Sequence, residues 1–291
     1  MKTVLLFFLL PLSLFAKLSI AVSYPYIGTL VNTIGGEHAQ SVVLAQGKWD
    51  PHFIIPKPSL IAKVRNADAM IINGAQLEIG WLPPLINRAS NAKTMPNAPT
   101  FLNLSHYIEL LDKPLDVNRK DGDIHPDGNP HFHLSPHNIL PLAKATKEFL
   151  IKLDATHAKE YEENYNQFAM IWQEKLLLWQ KKMAEKKGLQ VVQFHDNLAY
   201  FNNAYGLQNI ATLEPLPGIP PSSKHTLHVI ELIKKEKPCC ILHDVYHSTK
   251  TADYISEKTA IKIVLMPHDI GAINEVDDLI SLFDYLVGRF E

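Results

Sequence analysis

The stretch from His157 to Lys187 constrains this fold more than any other. Tyr161, Tyr165, Phe168, Trp172, Leu176, Trp179 and Met183 recur at spacings of three and four, with Glu and Lys on the other faces. That period lays one apolar stripe along a helix. At 1.5 Å per residue the helix reaches roughly 46 Å, more than the width of a small domain. A helix so long, in the middle of the chain, suits a strut packed along two domains.

What surrounds the strut alternates. Strand-type runs at Leu18–Ser23, Ser41–Ala45, Ala69–Asn73 and Thr100–Asn103 are separated by helical segments ending at Gly35-Gly36, near Asn66 and beyond Pro83-Pro84. The second half repeats the pattern with strands at Leu189–Phe194, Ile210–Leu213, Cys239–His243 and Ile261–Leu265. Such alternation argues for α/β units with mainly parallel sheets. A length of 291 residues, 46% hydrophobic, is enough for about two domains.

Residues 1–16 read as an export signal: Lys2, an apolar run from Val4 to Phe15, and Ala16 at the cleavage edge. The run falls short of the ~20 residues that span a bilayer. No cysteine follows it, so the expectation is a periplasmic protein without a lipid anchor. A net charge of -2 gives no basic patch for nucleic acid. The two cysteines, Cys239 and Cys240, are adjacent, which excludes a Cys-rich zinc site; they read as small buried strand residues.

In open α/β sheets, ligands bind beyond the carboxyl ends of the strands. His52 follows the second strand run, in a loop made rigid by Pro51, Pro56 and Pro58. His131 lies in the run Asn129–His137, N-P-H-F-H-L-S-P-H. His195 ends the strand at Leu189–Phe194, and Asp269 follows the last strand. Two of these fall in each half, so a site between the halves can use all four. Three imidazoles and one carboxylate form an N₃O set that suits zinc. His268 is a rival for the fourth position. The loop over 112–131 carries Asp121, Asp123, His125 and Asp127, and with His133 it reads as a secondary capture site.

These residues also carry a family resemblance. Asp50-Pro51-His52, Pro58-Ser59, Ala67-Asp68, Asn73-Gly74 and Glu78 to Trp81 match, in order, motifs of the solute-binding proteins of metal-ion ABC transporters, the zinc-uptake ZnuA/TroA-like group. Pro130 to Pro136 resembles its P-H-x-W-L motif, and His195 to Phe201 with Tyr205-Gly206-Leu207 resembles its H-x-A-x-x-Y and Y-G-L motifs. The chain departs from the pattern at Leu60, where the family often has Asp, and at His133, where it often has Trp. The resemblance implies two Rossmann-like α/β lobes joined by one long helix. The corresponding division is 17–156, 157–187 and 188–291. It implies His52, His131, His195 and Asp269 as ligands of a divalent metal delivered by a monomer to a membrane permease. Zinc binders of the group tend to have His at the third position and manganese binders Glu, so His195 points to zinc, with manganese or another transition metal the alternative.

An enzyme is the contrasting reading. His131 and His133 form an H-x-H pair of the kind found in some zinc hydrolases. A catalytic zinc keeps a water position and a nearby base. The chain has no H-E-x-x-H and no evident base, so capture rather than catalysis is expected.

Overall fold

The computed structural model describes residues 17–114 and 125–291. The expected export signal, Asp121 and Asp123 lie outside the described residues. The first half holds the strands β1 (Leu18–Val22), β2 (Ala39–Val43), β3 (Ala69–Ile72) and β4 (Phe101–Asn103), in the order β2-β1-β3-β4. The second half holds β5 (Gln190–Gln193), β6 (Gln208–Thr212), β7 (Cys240–His243) and β8 (Lys262–Leu265), in the equivalent order β6-β5-β7-β8. All pairings are parallel. In each sheet the order reverses beside the first strand, leaving a crevice beyond its carboxyl end.

The helices are α1 (Pro25–Gly35), α2 (Pro58–Arg65), α3 (Leu82–Ala89), α4 (Ile139–Leu153), α5 (Ala158–Met183), α6 (Ala199–Tyr205), α7 (Ser223–Glu236), α8 (Lys250–Thr259) and α9 (Leu279–Gly288). Proline occupies the first turn of α1, α2 and α3, where its missing N–H costs nothing. Two strands start earlier than their sequence runs. β2 begins at Ala39 because Leu18 pairs with it, and β6 begins at Gln208 opposite Gln190. The first residues of β6 are exposed, so hydrophobicity does not mark them.

The strut is α5. Tyr161, Phe168, Trp172, Trp179 and Met183 are buried along one face. The helix packs on α1 and α4 of the first half and on α9 of the second. Trp172 Nε1–H donates to Pro136 O at 2.9 Å, and Trp179 Nε1–H donates to Asp284 Oδ1 at 2.8 Å. Phe283 of α9 lies 5.5 Å from Trp172 and 5.3 Å from Trp179, ring centre to ring centre. The last helix of the chain is thereby seated on the strut, in one core with the first sheet. A second core, including Val192, Ile230, Ile241 and Ile255, lies within the second half.

Cys240 is buried at the start of β7, but Cys239 is exposed, contrary to the expectation that both are buried. It precedes the strand, and its N–H pairs with Gln190 O while its side chain faces outward. Among the described residues no helix is long and apolar enough to cross a membrane.

Candidate metal centre

His52, His131 and His195 arrive from three loops and meet. Each offers a nitrogen lying within 4.8 Å of the other two. Their ring centres are 5.2 to 5.4 Å apart, and the planes stand at 68°, 78° and 90° to one another. Steeply inclined rings cannot stack, but they can aim lone pairs at one point.

Each ring is held by the structure behind it. Tyr24 O–H donates to Pro51 O at 2.8 Å and Trp81 Nε1–H to the same oxygen at 3.2 Å, fixing the residue before His52. His52 Nδ1–H donates to Asp50 Oδ1 at 2.9 Å. Asn73 Nδ2–H donates to Pro130 O, and the His131 N–H donates to Asn129 Oδ1, both at 3.0 Å. His195 follows β5, and its Nδ1–H donates to Glu214 Oε2 at 2.7 Å, both side chains nearly sealed from solvent. A carboxylate can only accept, so Asp50 and Glu214 keep the Nδ1 protons in place and leave Nε2 of His52 and His195 as the lone-pair nitrogens.

Behind Glu214 the acidic shell continues. His247 Nε2 lies 3.5 Å from Glu214 Oε1, and His247 Nδ1–H donates to Asp244 Oδ2 at 2.8 Å. Burial pushes the Asp244 carboxyl up, but the hydrogen bond and charge of His247 bring it down to about 2. A cavity of about 360 Å³ lined by Asp50, His52, His195, Glu214 and His247 reaches the rings.

His131 is the most enclosed of the three. Neither of its ring nitrogens has a hydrogen-bond partner among the described residues. Burial, then the neighbouring imidazoles of His52 and His195, holds it neutral well below the ordinary histidine range. Buried polar atoms without partners are costly. An uncharged imidazole facing two others is a donor set for a soft-to-borderline cation.

The other expected residues divide. His125 lies beside His52, ring centres 5.4 Å apart, with Nε2 buried and unpartnered among the described residues. Burial first, then the charges of His52 and His195, lowers it to about 3. Asp269 is buried and, like His125, lies outside the close three-histidine group. Burial pushes it to about 8, against a hydrogen bond from the Ile270 N–H to its Oδ1 at 2.7 Å. His133 is stacked flat on Tyr26 at 4.4 Å, and its Nε2–H donates to His268 O at 2.8 Å. His133 and His268 thus make a contact between the halves and stand outside the close group.

The partners of these rings escaped the sequence reading. Glu214 sits in the run E-P-L-P-G, which marks a turn and nothing more. Tyr24, Trp81 and Asn73 show no chemical pattern by themselves. Asp50, Asn73 and Trp81 gave a signal only as members of the family motifs, and Asn129 only as the head of the His-rich run.

The comparisons with known proteins agree with one another. A sequence profile of the family described as zinc-uptake complex component A, periplasmic, matches residues 20–290. The zinc-binding lipoprotein AdcA of Streptococcus pneumoniae is 23% identical over 252 residues, 84% of this chain and 49% of that protein, so the chain spans about half the length of this relative. The high-affinity zinc uptake system protein ZnuA of Yersinia pestis is 21% identical over 295 residues, 94% of this chain and 91% of that protein. The iron-binding protein YfeA of Yersinia pestis is 24% identical over 253 residues, 84% of this chain and 74% of its own length. A crystal structure of ZnuA superposes with a TM-score of 0.79 at 22% identity, covering 95% of this chain and all of that one. At that identity the structural likeness carries the fold.

Proposed function

This chain belongs to the periplasmic zinc-uptake complex component A family, and on that premise we propose that it captures Zn²⁺ between its lobes and delivers it to the permease of an ABC transporter. It is a metal-binding transport component and not an enzyme. The single observation that supports the reading is the meeting of His52, His131 and His195, three buried imidazoles from three loops. Nitrogen donors favour zinc over manganese, which prefers carboxylate oxygens. We assign these three as ligands.

The fourth position is open to Asp269 and to His125, both of which lie outside the close three-histidine group. His125 presents an unpartnered, buried nitrogen beside His52, and Asp269 is a buried carboxylate whose Oδ1 accepts from the Ile270 N–H. Single replacements separate the two: His125→Ala weakens zinc binding tenfold or more if His125 holds the position, and Asp269→Ala does so if Asp269 holds it.

The lobes are taken as 17–156 and 188–291 with the linking helix over 157–187. The protein acts as an exported periplasmic monomer. Because zinc outcompetes manganese and iron(II) at most nitrogen sites, affinity alone does not identify the cargo. The metal content of protein purified from periplasm does: one zinc per chain is expected, and manganese or iron in its place overturns the assignment.

A further inference from the structure

The two cysteines lie at the end of the second sheet opposite the metal centre. Cys240 is the first residue of β7, which runs parallel to β5, whereas His195 follows the carboxyl end of β5. Cys240 is buried, and Cys239, just before the strand, is exposed. Successive side chains of a regular strand point to opposite faces and do not meet. Here they do meet: the two sulfurs are 2.8 Å apart. Cys239 escapes the alternation because it lies outside β7, where its N–H donates to Gln190 O at 2.9 Å.

That separation discriminates between the uses of a dithiol. A tetrahedral metal with metal–sulfur bonds of about 2.3 Å spreads two thiolates to about 3.8 Å. Two unbonded thiols at rest also keep further apart than 2.8 Å. The placement suits sulfurs that bond to each other, at about 2.05 Å. We propose that Cys239 and Cys240 form a reversible redox pair, which closes to a disulfide between adjacent residues by exchange with a disulfide donor.

The two thiols are unequal. The Cys240 S–H directed at Cys239 lowers the Cys239 thiol against the effect of burial, and the charges of Lys186 and Lys262 lower it further. The same contact, then burial, raises Cys240. The exposed thiolate is therefore the attacking group. Cys239 Sγ attacks one sulfur of the donor R–S–S–R, forming a mixed disulfide and releasing the first R–S⁻. Cys240 then gives up its proton and attacks Cys239 Sγ, expelling the second R–S⁻. Two electrons and two protons pass from the cysteines to the donor, which ends as two R–SH. Adjacent Cα atoms are about 3.8 Å apart, below the roughly 4.4–6.8 Å usual for a disulfide, so thiols reopen the closed pair readily. It closes no loop and so acts as a switch rather than a staple. The periplasm proposed above supplies disulfide donors, but the chemistry itself does not depend on that location.

The test is titration of the full chain in glutathione buffers of rising oxidised fraction, read by mass spectrometry of the intact protein and of the proteolytic peptide that holds both cysteines. The unmodified chain is expected to lose both free thiols together, retain no glutathione and weigh two hydrogen atoms less. Cys240→Ser is expected to stop with glutathione attached at Cys239, because the second thiol is gone. Cys239→Ser is expected to react about tenfold more slowly, its remaining thiol being buried. The reading on the unmodified chain needs neither variant to fold. The urea-denatured chain, whose sulfurs are not held together, is expected to need a buffer about tenfold more oxidising. Retention of both thiols by the folded chain across the series, an end state carrying glutathione or bridging two chains at Cys239, or a denatured chain that closes as readily as the folded one overturns the proposal.

Discussion

Replacing Glu214 by Ala weakens zinc binding about 10- to 100-fold without touching any proposed ligand. The carboxylate lies 2.7 Å from His195 Nδ1, with both groups sealed from solvent. Removing it ends a hydrogen bond to a charged group, a bond of the kind that contributes about 1.5–3 kcal/mol. At 1.4 kcal/mol per factor of ten, that spans about one to two decades of affinity. The bond to His247 adds little, because Asp244 still holds that ring. Glu214→Gln separates orientation from charge. Its amide oxygen can accept the same Nδ1 proton, so the tautomer survives while the charge assistance is lost. A neutral hydrogen bond contributes about 0.5–1.5 kcal/mol, so Gln keeps roughly half the effect and costs about fivefold. The assay is competition of the stripped protein against a fluorescent zinc chelator, with denaturant unfolding of the apo forms as a folding control. A folded Glu214→Ala protein within twofold of the unmodified chain refutes the reasoning. Gln as damaging as Ala refutes the division between orientation and charge.

Gly47→Ala tests the closed arrangement of the lobes. A Cβ at Gly47 meets Ile270 O at 2.0 Å and Ala272 N at 2.8 Å, both backbone atoms of the other half. The loops must part by an ångström or more, so zinc affinity falls about tenfold and the radius of gyration in X-ray scattering rises; unchanged values of both contradict this. Trp179→Ala removes a fully buried indole and its bond to Asp284, and lowers stability in urea unfolding by about 3–5 kcal/mol. A loss below about 1 kcal/mol contradicts the role of α5 as a packed strut. The Asp244–His247 pair gives a pH dependence. Burial opposes charge on His247, yet the bond and charge of Asp244 raise it above its usual value. That contribution is fully present below the unfolded histidine pKa and fades as pH rises through the raised folded value. Asp244 is held down to about 2, so its contribution is lost only in strong acid. Asp244→Asn therefore lowers the melting temperature of the apo protein more at pH 5 than at pH 8.5; an equal loss at both contradicts the ion pair.

The sequence showed the frame of the molecule clearly because burial has a period. The stripe from Tyr161 to Met183 became the strut, and the alternating runs became two parallel sheets of matching order. Strand edges were less legible where pairing rather than hydrophobicity sets them, as at Ala39 and Gln208. The histidines were visible because their chemistry is rare and their places after strand ends are typical of sites. The side chains that aim them were not. Glu214, Tyr24 and Trp81 act through single hydrogen bonds to residues 19 to 30 positions away, and such bonds follow no period. How closely the chain returns at His125, its ring centre 5.4 Å from that of His52, is hidden by their distance in sequence. Asp269 occupied the expected place in the chain order, and the structure buries it after β8.

The most direct measurement is X-ray diffraction from crystals grown with zinc, collected on both sides of the zinc absorption edge. The expected result is a strong anomalous peak about 2.0–2.1 Å from a ring nitrogen of each of His52, His131 and His195. A fully occupied zinc peak elsewhere, with those three rings bare of metal, contradicts capture at this centre.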